Sequence, residues 1–189
     1  MDIKEIQRVI KNSRAPPLPT PEQGALLAEI LSQEQERVKG TEIIHLGQLR
    51  AGDPLGRLLH LDISSYTLVD PFREEYLSAS VEGFLFRHPE DQGKLRVERG
   101  EAVGCLQQRR ERSSTVVSIG MLNSSVIGAH LLDQTPVLQY EKELALQIYR
   151  VTPAAGISYH LGIDSVWKNA LLQVGFISFQ DGSLFLKER

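Results

Sequence analysis

Histidine, cysteine and clustered charge are the side chains here that could carry chemistry, and their spacing limits what that chemistry can be. His45, His60, His88, His130 and His160 are scattered along the chain. None forms an HExxH pair or sits beside paired cysteines, the spacings that bring several ligands onto one metal ion. His60 and Asp62 lie two residues apart on an expected strand and so share a face, which suits a weak acid-base pair, but no nucleophile is identifiable near them. Cys105 is the single cysteine, so neither an internal disulfide nor a cysteine-rich zinc site can form, which fits a reducing compartment. The pairs Gly52, Gly56 and Gly120, Gly128 lack the Lys-Ser/Thr flank or the strand-to-helix setting of a phosphate loop. On these grounds no catalytic, cofactor-binding or metal-ligating residue is expected, and the chain reads as a non-enzyme without a cofactor.

Binding surfaces are the alternative. Arg109, Arg110 and Arg112, with Arg87, Lys94, Arg96 and Arg99 upstream, form the most basic region, diluted by Glu90, Asp91, Glu98, Glu101 and Glu111. It is either a solvated loop or a patch that meets phospholipid or an acidic protein. The apolar run Val126 to Leu132 ends at Asp133-Gln134-Thr135-Pro136; it is either a core strand or a loop presenting Leu131 and Leu132 to a bilayer. At the start of the chain, Ile3, Ile6, Val9 and Ile10 fall at helical spacing with Lys4, Arg8 and Lys11 on the neighbouring face. That pattern suits an arm docking on its own or a neighbouring subunit, or an interfacial helix on anionic lipid. Pro16, Pro17, Leu18 and Pro19 favour an extended polyproline path, a spacer or a ligand for a WW or SH3 groove.

The elements that must position these residues follow from periodicity. With 189 residues the chain can bury a substantial core, and its formal charge of -3 argues against coating a polyanion by bulk attraction. No apolar run approaches the roughly 20 residues that span a bilayer. Thr20-Pro21-Glu22-Gln23 is a strong helix start, and Leu26, Leu27, Ile30, Leu31 and Val38 give that helix an apolar face before Gly40. From Thr41 onward, short β-rich runs at Ile43 to Leu46, Leu58 to Leu68, Val81 to Phe86, Leu95 to Val97, Thr115 to Leu122 and Ser125 to Leu132 predict a mostly β body, with a short helix at Arg73 to Ser80. Leu144, Leu146 and Ile148 alternate with Ala145, Gln147 and Tyr149, which predicts a strand. Asp164 then caps a helix that ends at Gly175, and Gln180-Asp181-Gly182 turns a hairpin between Phe176 to Phe179 and Ser183 to Leu186. The expected fold class is α+β: a mostly antiparallel β body with a C-terminal strand-helix-hairpin and N-terminal helices. Residues 1–19 form an amphipathic and Pro-rich arm, 20–40 a helix on the body or a neighbour, and 41–189 the globular domain.

Several of these pieces, taken in order, resemble the matrix proteins of rhabdoviruses. They are the Pro-rich segment from Ala15, Pro71-Phe72-Arg73 with Tyr76, Leu122 to Ser125, the apolar stretch ending in Leu132-Asp133-Gln134, Thr135-Pro136, the strand ending in Ile148-Tyr149, and the helix and hairpin from Trp167 to Leu186. The resemblance implies a virion protein of the host cytoplasm and membrane periphery, nuclear in some plant-infecting relatives. Such a protein self-associates into a homo-oligomer or lattice, links the viral nucleocapsid to an anionic membrane surface and drives assembly and budding, with the viral glycoprotein and host WW-domain proteins as further partners. This chain departs from the family in being acidic overall, and Pro19 stands where the PPxY budding motif has tyrosine. The alternative expectations are a plant-virus movement or coat protein with a β-rich nucleic-acid-binding fold, and a cellular adaptor using the Pro-rich ligand.

Overall fold

A computed structural model describes residues 18–47, 53–70, 74–98, 100–122, 135–179 and 182–188. The arm residues Ile3, Lys4, Ile6, Arg8, Val9, Ile10 and Lys11, the prolines Pro16 and Pro17, and the loop residues Leu131 and Leu132 lie outside this set.

Strand and helix alternate along the chain. Helix α1 (Pro21–Gln33) and the short α2 (Gln35–Val38) lead into β1 (Glu42–Leu46), followed by α3 (Asp53–Leu59), β2 (Ser65–Val69), α4 (Glu74–Arg87), β3 (Leu95–Glu98), α5 (Ala102–Gln107) and β4 (Ser114–Ile119). Then come α6 (Thr135–Val151), β5 (Ile157–Leu161), α7 (Ser165–Gln173), β6 (Phe176–Phe179) and β7 (Leu184–Lys187). The seven strands form one sheet in the order β3-β2-β1-β4-β5-β7-β6. β1 to β5 are all parallel, and only β7, inserted between β5 and β6, runs antiparallel to its neighbours.

Burial explains the layers. Every residue of β2 and β4 is buried, as strands covered by helices on both faces must be. Ile43, Tyr66, Leu68 and Val117 pack on one face with Leu27 and Leu31 of α1, Leu55 and Leu58 of α3, and Val81 and Phe84 of α4. On the other face, Ile44, Leu46, Val69 and Val116 pack with Val103 and Leu106 of α5, Tyr140, Leu144 and Ile148 of α6, and Trp167 and Leu171 of α7. The chain therefore winds out from β1 to β3 over one half of the sheet, returns, and winds from β4 to β5 over the other.

The expected antiparallel body is overturned by this parallel sheet. Leu144 to Tyr149 is not a strand but the middle of α6, in which Val137, Tyr140, Leu144, Ala145, Ile148 and Val151 make a buried helical stripe while Leu146 is 49% exposed. Val81 to Phe86 likewise belongs to α4, and Leu58 to Leu68 divides into the end of α3 and β2. With those helices taken for strands, the alternation that signals a parallel sheet disappears from the sequence. The local stop signals do coincide with element ends. Thr20 and Gln23 form a reciprocal capping box, and Asp164 accepts from the backbone N–H of Val166 and Trp167 at 3.0 Å.

Candidate functional site

Strands β1, β2, β4 and β5 each stop at a residue that is either glycine or carboxylate, and all four stops lie on one edge of the sheet. Leu46 is followed by Gly47 (φ 102°), Val69 by Asp70, Ile119 by Gly120 (φ 66°) and Leu161 by Gly162 (φ 76°). Beyond β3, Gly100 has φ 128°. At Gly47 and Gly120 the left-handed backbone disfavours any residue with a Cβ. The rim is stitched by backbone: Gly47 N–H donates to Val69 C=O, and Gly120 N–H donates to Leu161 C=O, each at 2.7 Å. A Cβ on Gly47 would meet Met121 Cγ at 3.1 Å, and one on Gly162 would meet Gly120 Cα at 3.5 Å. The edge thus presents main chain, with Met121 and Leu122 as a buried apolar wall next to it.

Two carboxylates stand beside this main chain. Asp70, only 3% exposed, closes β2. Glu101 caps α5, accepting from Val103 N–H at 2.7 Å and from Gly104 N–H. Burial pushes the Glu101 carboxyl up, while those two backbone donors pull it back down. Tyr140 of α6 is also pushed up, first by its burial and then by the charge of Glu101.

Between the edges the sheet carries two buried histidines. His45 Nδ1 lies 2.7 Å from Tyr66 Oη, and among the described residues its Nε2 has no hydrogen-bond partner. His160 is held from both sides, with Ser118 Oγ 2.9 Å from Nδ1 and Ser158 Oγ 2.7 Å from Nε2; Ser158 donates onward to Val116 C=O. Burial lowers both imidazoles to about 3, and His45 adds to the effect at His160. Neutral and enclosed, they tie neighbouring strands together.

The other residues singled out from sequence fall elsewhere. Arg109 is inside a network: its guanidinium bridges Glu42 (Nε to Oε2, 2.9 Å) and Glu98. Burial alone would lower this guanidinium, but Glu98 and Glu42 outweigh it and push it up. Arg110 and Arg112 are exposed, whereas Arg109 is half-buried in its ion pairs. Leu18 and Pro19 lead directly into the α1 cap, with Pro19 buried. His60 lies just past α3 instead of on a strand, its Nδ1–H donating to Gly56 C=O at 2.7 Å, and Asp62 pairs with Lys39 at 3.5 Å. Cys105 is buried, and its thiol is pushed up chiefly by that burial. Gly47, Asp70 and Gly162 are not among the residues that the sequence singles out. The available signal was positional: a glycine or an aspartate immediately after each apolar run.

At this edge the winding direction reverses between β1 and β4. In open parallel sheets that is the place where ligands bind, beyond the carboxyl ends of the strands. By sequence, the chain matches no protein-family model and no curated protein. By fold it is similar to a proposed sarcosine dimethylglycine methyltransferase from Galdieria sulphuraria, with TM-score 0.57 and 10% identity over 95% of this chain and 76% of that one. It is also similar to the 4+2 cyclase SpnF (TM-score 0.58, 11% identity, 94% of this chain and 70% of that one). A geranyl diphosphate methyltransferase in complex with SAM gives TM-score 0.54 and 10% identity over 84% of this chain and 67% of that one. At such low identity the likeness establishes the fold, a Rossmann-like methyltransferase fold, and nothing finer.

That finding overturns the resemblance to rhabdovirus matrix proteins, and with it the expected virion role in assembly and budding and its two alternatives. The non-enzyme expectation falls as well, since this is a fold that enzymes use and the carboxyl edge is arranged as such folds arrange a ligand site.

Proposed function

We propose that this chain binds S-adenosylmethionine at the carboxyl edge and transfers its methyl group to a nucleophile. The observation that carries the reading is the rim itself: Gly47, Gly120 and Gly162 in left-handed conformations beside the buried carboxylate of Asp70, at the point where the winding reverses. These residues fit an adenosyl group. The bare backbone at Gly47 permits close approach, and Asp70, one βαβ unit further on, stands where such sheets place the acid that accepts from ribose hydroxyls. Gly47, Asp70 and Gly120 would hold the nucleoside, while Met121 and Leu122 would keep water from the reacting carbon.

The sulfonium of the bound cofactor supplies an electrophilic methyl. When bound, it would give up that methyl to a nucleophile's lone pair as the carbon–sulfur bond breaks, with neutral S-adenosylhomocysteine and the nucleophile's proton as the other products. The protein's own share is positioning and exclusion of water, since in-line approach is worth several kcal/mol on its own. Proton acceptance at this edge falls to the carboxylates; the two neutral histidines are enclosed below it.

Equilibrium dialysis with radiolabelled S-adenosylmethionine tests the reading. One saturable site is expected, and Asp70→Asn should weaken it about tenfold, near 1.4 kcal/mol, while the variant still unfolds cooperatively. Absence of saturable binding to the wild-type chain at millimolar cofactor would overturn the proposal.

A further inference from the structure

The opposite, amino-terminal edge of the sheet holds a cavity that the methyl-transfer reading does not use. It encloses about 610 Å³ where the ends of α1, α3 and α4 converge. Arg57 and Arg87, His60 and His88, and Ser32 and Gln35 supply its polar lining, over a floor formed by Leu61 and Phe84. The size is that of a small-molecule site.

Both arginines sit in the last turn of a helix, where a cation also complements the helix dipole. At α3 that task is already done by another residue. Lys94 Nζ donates to Leu59 C=O at 2.8 Å and to Leu61 C=O at 2.9 Å, capping the carbonyl end of the helix. Among the described residues neither Arg57 nor Arg87 has an ion-pair partner, although the chain as a whole is acidic. The one carboxylate on the lining, Asp91, is grouped with His88 and Glu90, their ligand atoms lying within 4.8 Å of one another. It makes no ion pair with either arginine among the described residues. His88 stacks on Phe84, ring centroids 4.5 Å apart, which holds that imidazole at the wall of the cavity.

We propose that this cavity binds a phosphate-bearing small molecule, with the Arg57 and Arg87 guanidinium groups on the phosphate and the Leu61 and Phe84 floor beneath its organic part. Guanidinium forks match phosphate oxygens in pairs, and two uncommitted forks on one cavity favour a multiply charged oxyanion over a single carboxylate. The proposal is independent of methyl transfer, because its residues lie at the other end of the strands.

Calorimetric titration of the full chain with inorganic pyrophosphate, at fixed ionic strength, is the test. Saturable binding is expected, with the Arg57→Gln/Arg87→Gln double variant weakening it by about tenfold or more and Asp70→Asn leaving it unchanged. Both arginines are exposed, so the double variant should fold, and a melting curve matching that of wild type checks this. Three results would each overturn the proposal: no saturable binding by wild type, equal binding by a folded double variant, or binding of a short single-stranded RNA where pyrophosphate fails to bind.

Discussion

The two ends of the same parallel strands are built on opposite principles. At the carboxyl edge glycine follows β1, β4 and β5, and among the described residues main chain lies beside the carboxylates of Asp70 and Glu101. At the amino edge it spends side chains freely: Glu42 accepts from Thr67 Oγ1 at 2.7 Å and pairs with Arg109, while Lys94 caps α3. The contrast teaches how a fully buried sheet can carry a site at all. Polar groups inside its strands, such as His45 and His160, are tied up by neighbouring hydroxyls, so groups free to meet a ligand belong at the edges. In the proposals made above, the arginine-bearing cavity at the amino edge would recognise charge, whereas the carboxyl edge would recognise shape and hydroxyl groups.

The largest expected effect strikes both edges together, because it acts in the strands between them. His45 and His160 are held neutral in the folded chain, their pKa lowered from 6.5 to about 3 by burial. Below about pH 6.5 the unfolded chain therefore binds protons that the folded chain refuses. Stability from this source is full above that pH and is lost as pH falls toward about 3, at up to about 1.4 kcal/mol per pH unit for each histidine. Urea unfolding at about pH 7 and about pH 5 measures it, and His45→Leu should reduce the slope. A flat profile would show that the imidazoles are not enclosed as described.

Next in size is a change at Arg109, which joins Glu42 at the start of β1 to Glu98 at the end of β3. Arg109→Met leaves the carboxylates of Glu42 and Glu98 without their shared cation, at a cost of about 2 kcal/mol in urea unfolding. S-adenosylmethionine affinity should not change, and a joint loss of stability and affinity would dissolve the distinction between the edges. Smallest in stability is Asp70→Asn, which should shift the unfolding midpoint little while weakening the cofactor about tenfold. The two variants thus separate stability from cofactor binding in both directions.

Local signals in the sequence were legible where one residue decides the outcome. The Thr20 and Asp164 caps, the stop at Gly175 (φ 109°) and the hairpin strands β6 and β7 all stand where turn and cap chemistry puts them. Topology was not legible, for a physical reason. In α6 the triplet Leu144, Leu146, Ile148 imitates a strand over six residues, and only the longer stripe from Val137 to Val151 reveals the helix. Once α6 and the end of α4 were read as strands, the repeating strand-helix order could not be seen, and β5, buried from Ile157 to His160, went unnoticed. The rim was hidden for a different cause. Gly47, Asp70, Gly120 and Gly162 are dispersed along the chain, and only parallel pairing in register brings them to one edge. Arg109 misled in the opposite sense, since a run of arginines suggests an exposed patch until the partners Glu42 and Glu98, distant in sequence, are seen beside it.

The central claim, that the carboxyl edge is the ligand site of this sheet, is tested most directly by amide chemical shifts during titration with S-adenosylhomocysteine. The account predicts that the amides of Gly47, Asp70, Gly120 and Gly162 move together along one saturable curve while those of Arg57, His60 and Arg87 stay still. Shifts that gather instead around Arg57 and Arg87, or a spectrum that does not change at saturating ligand, would contradict it.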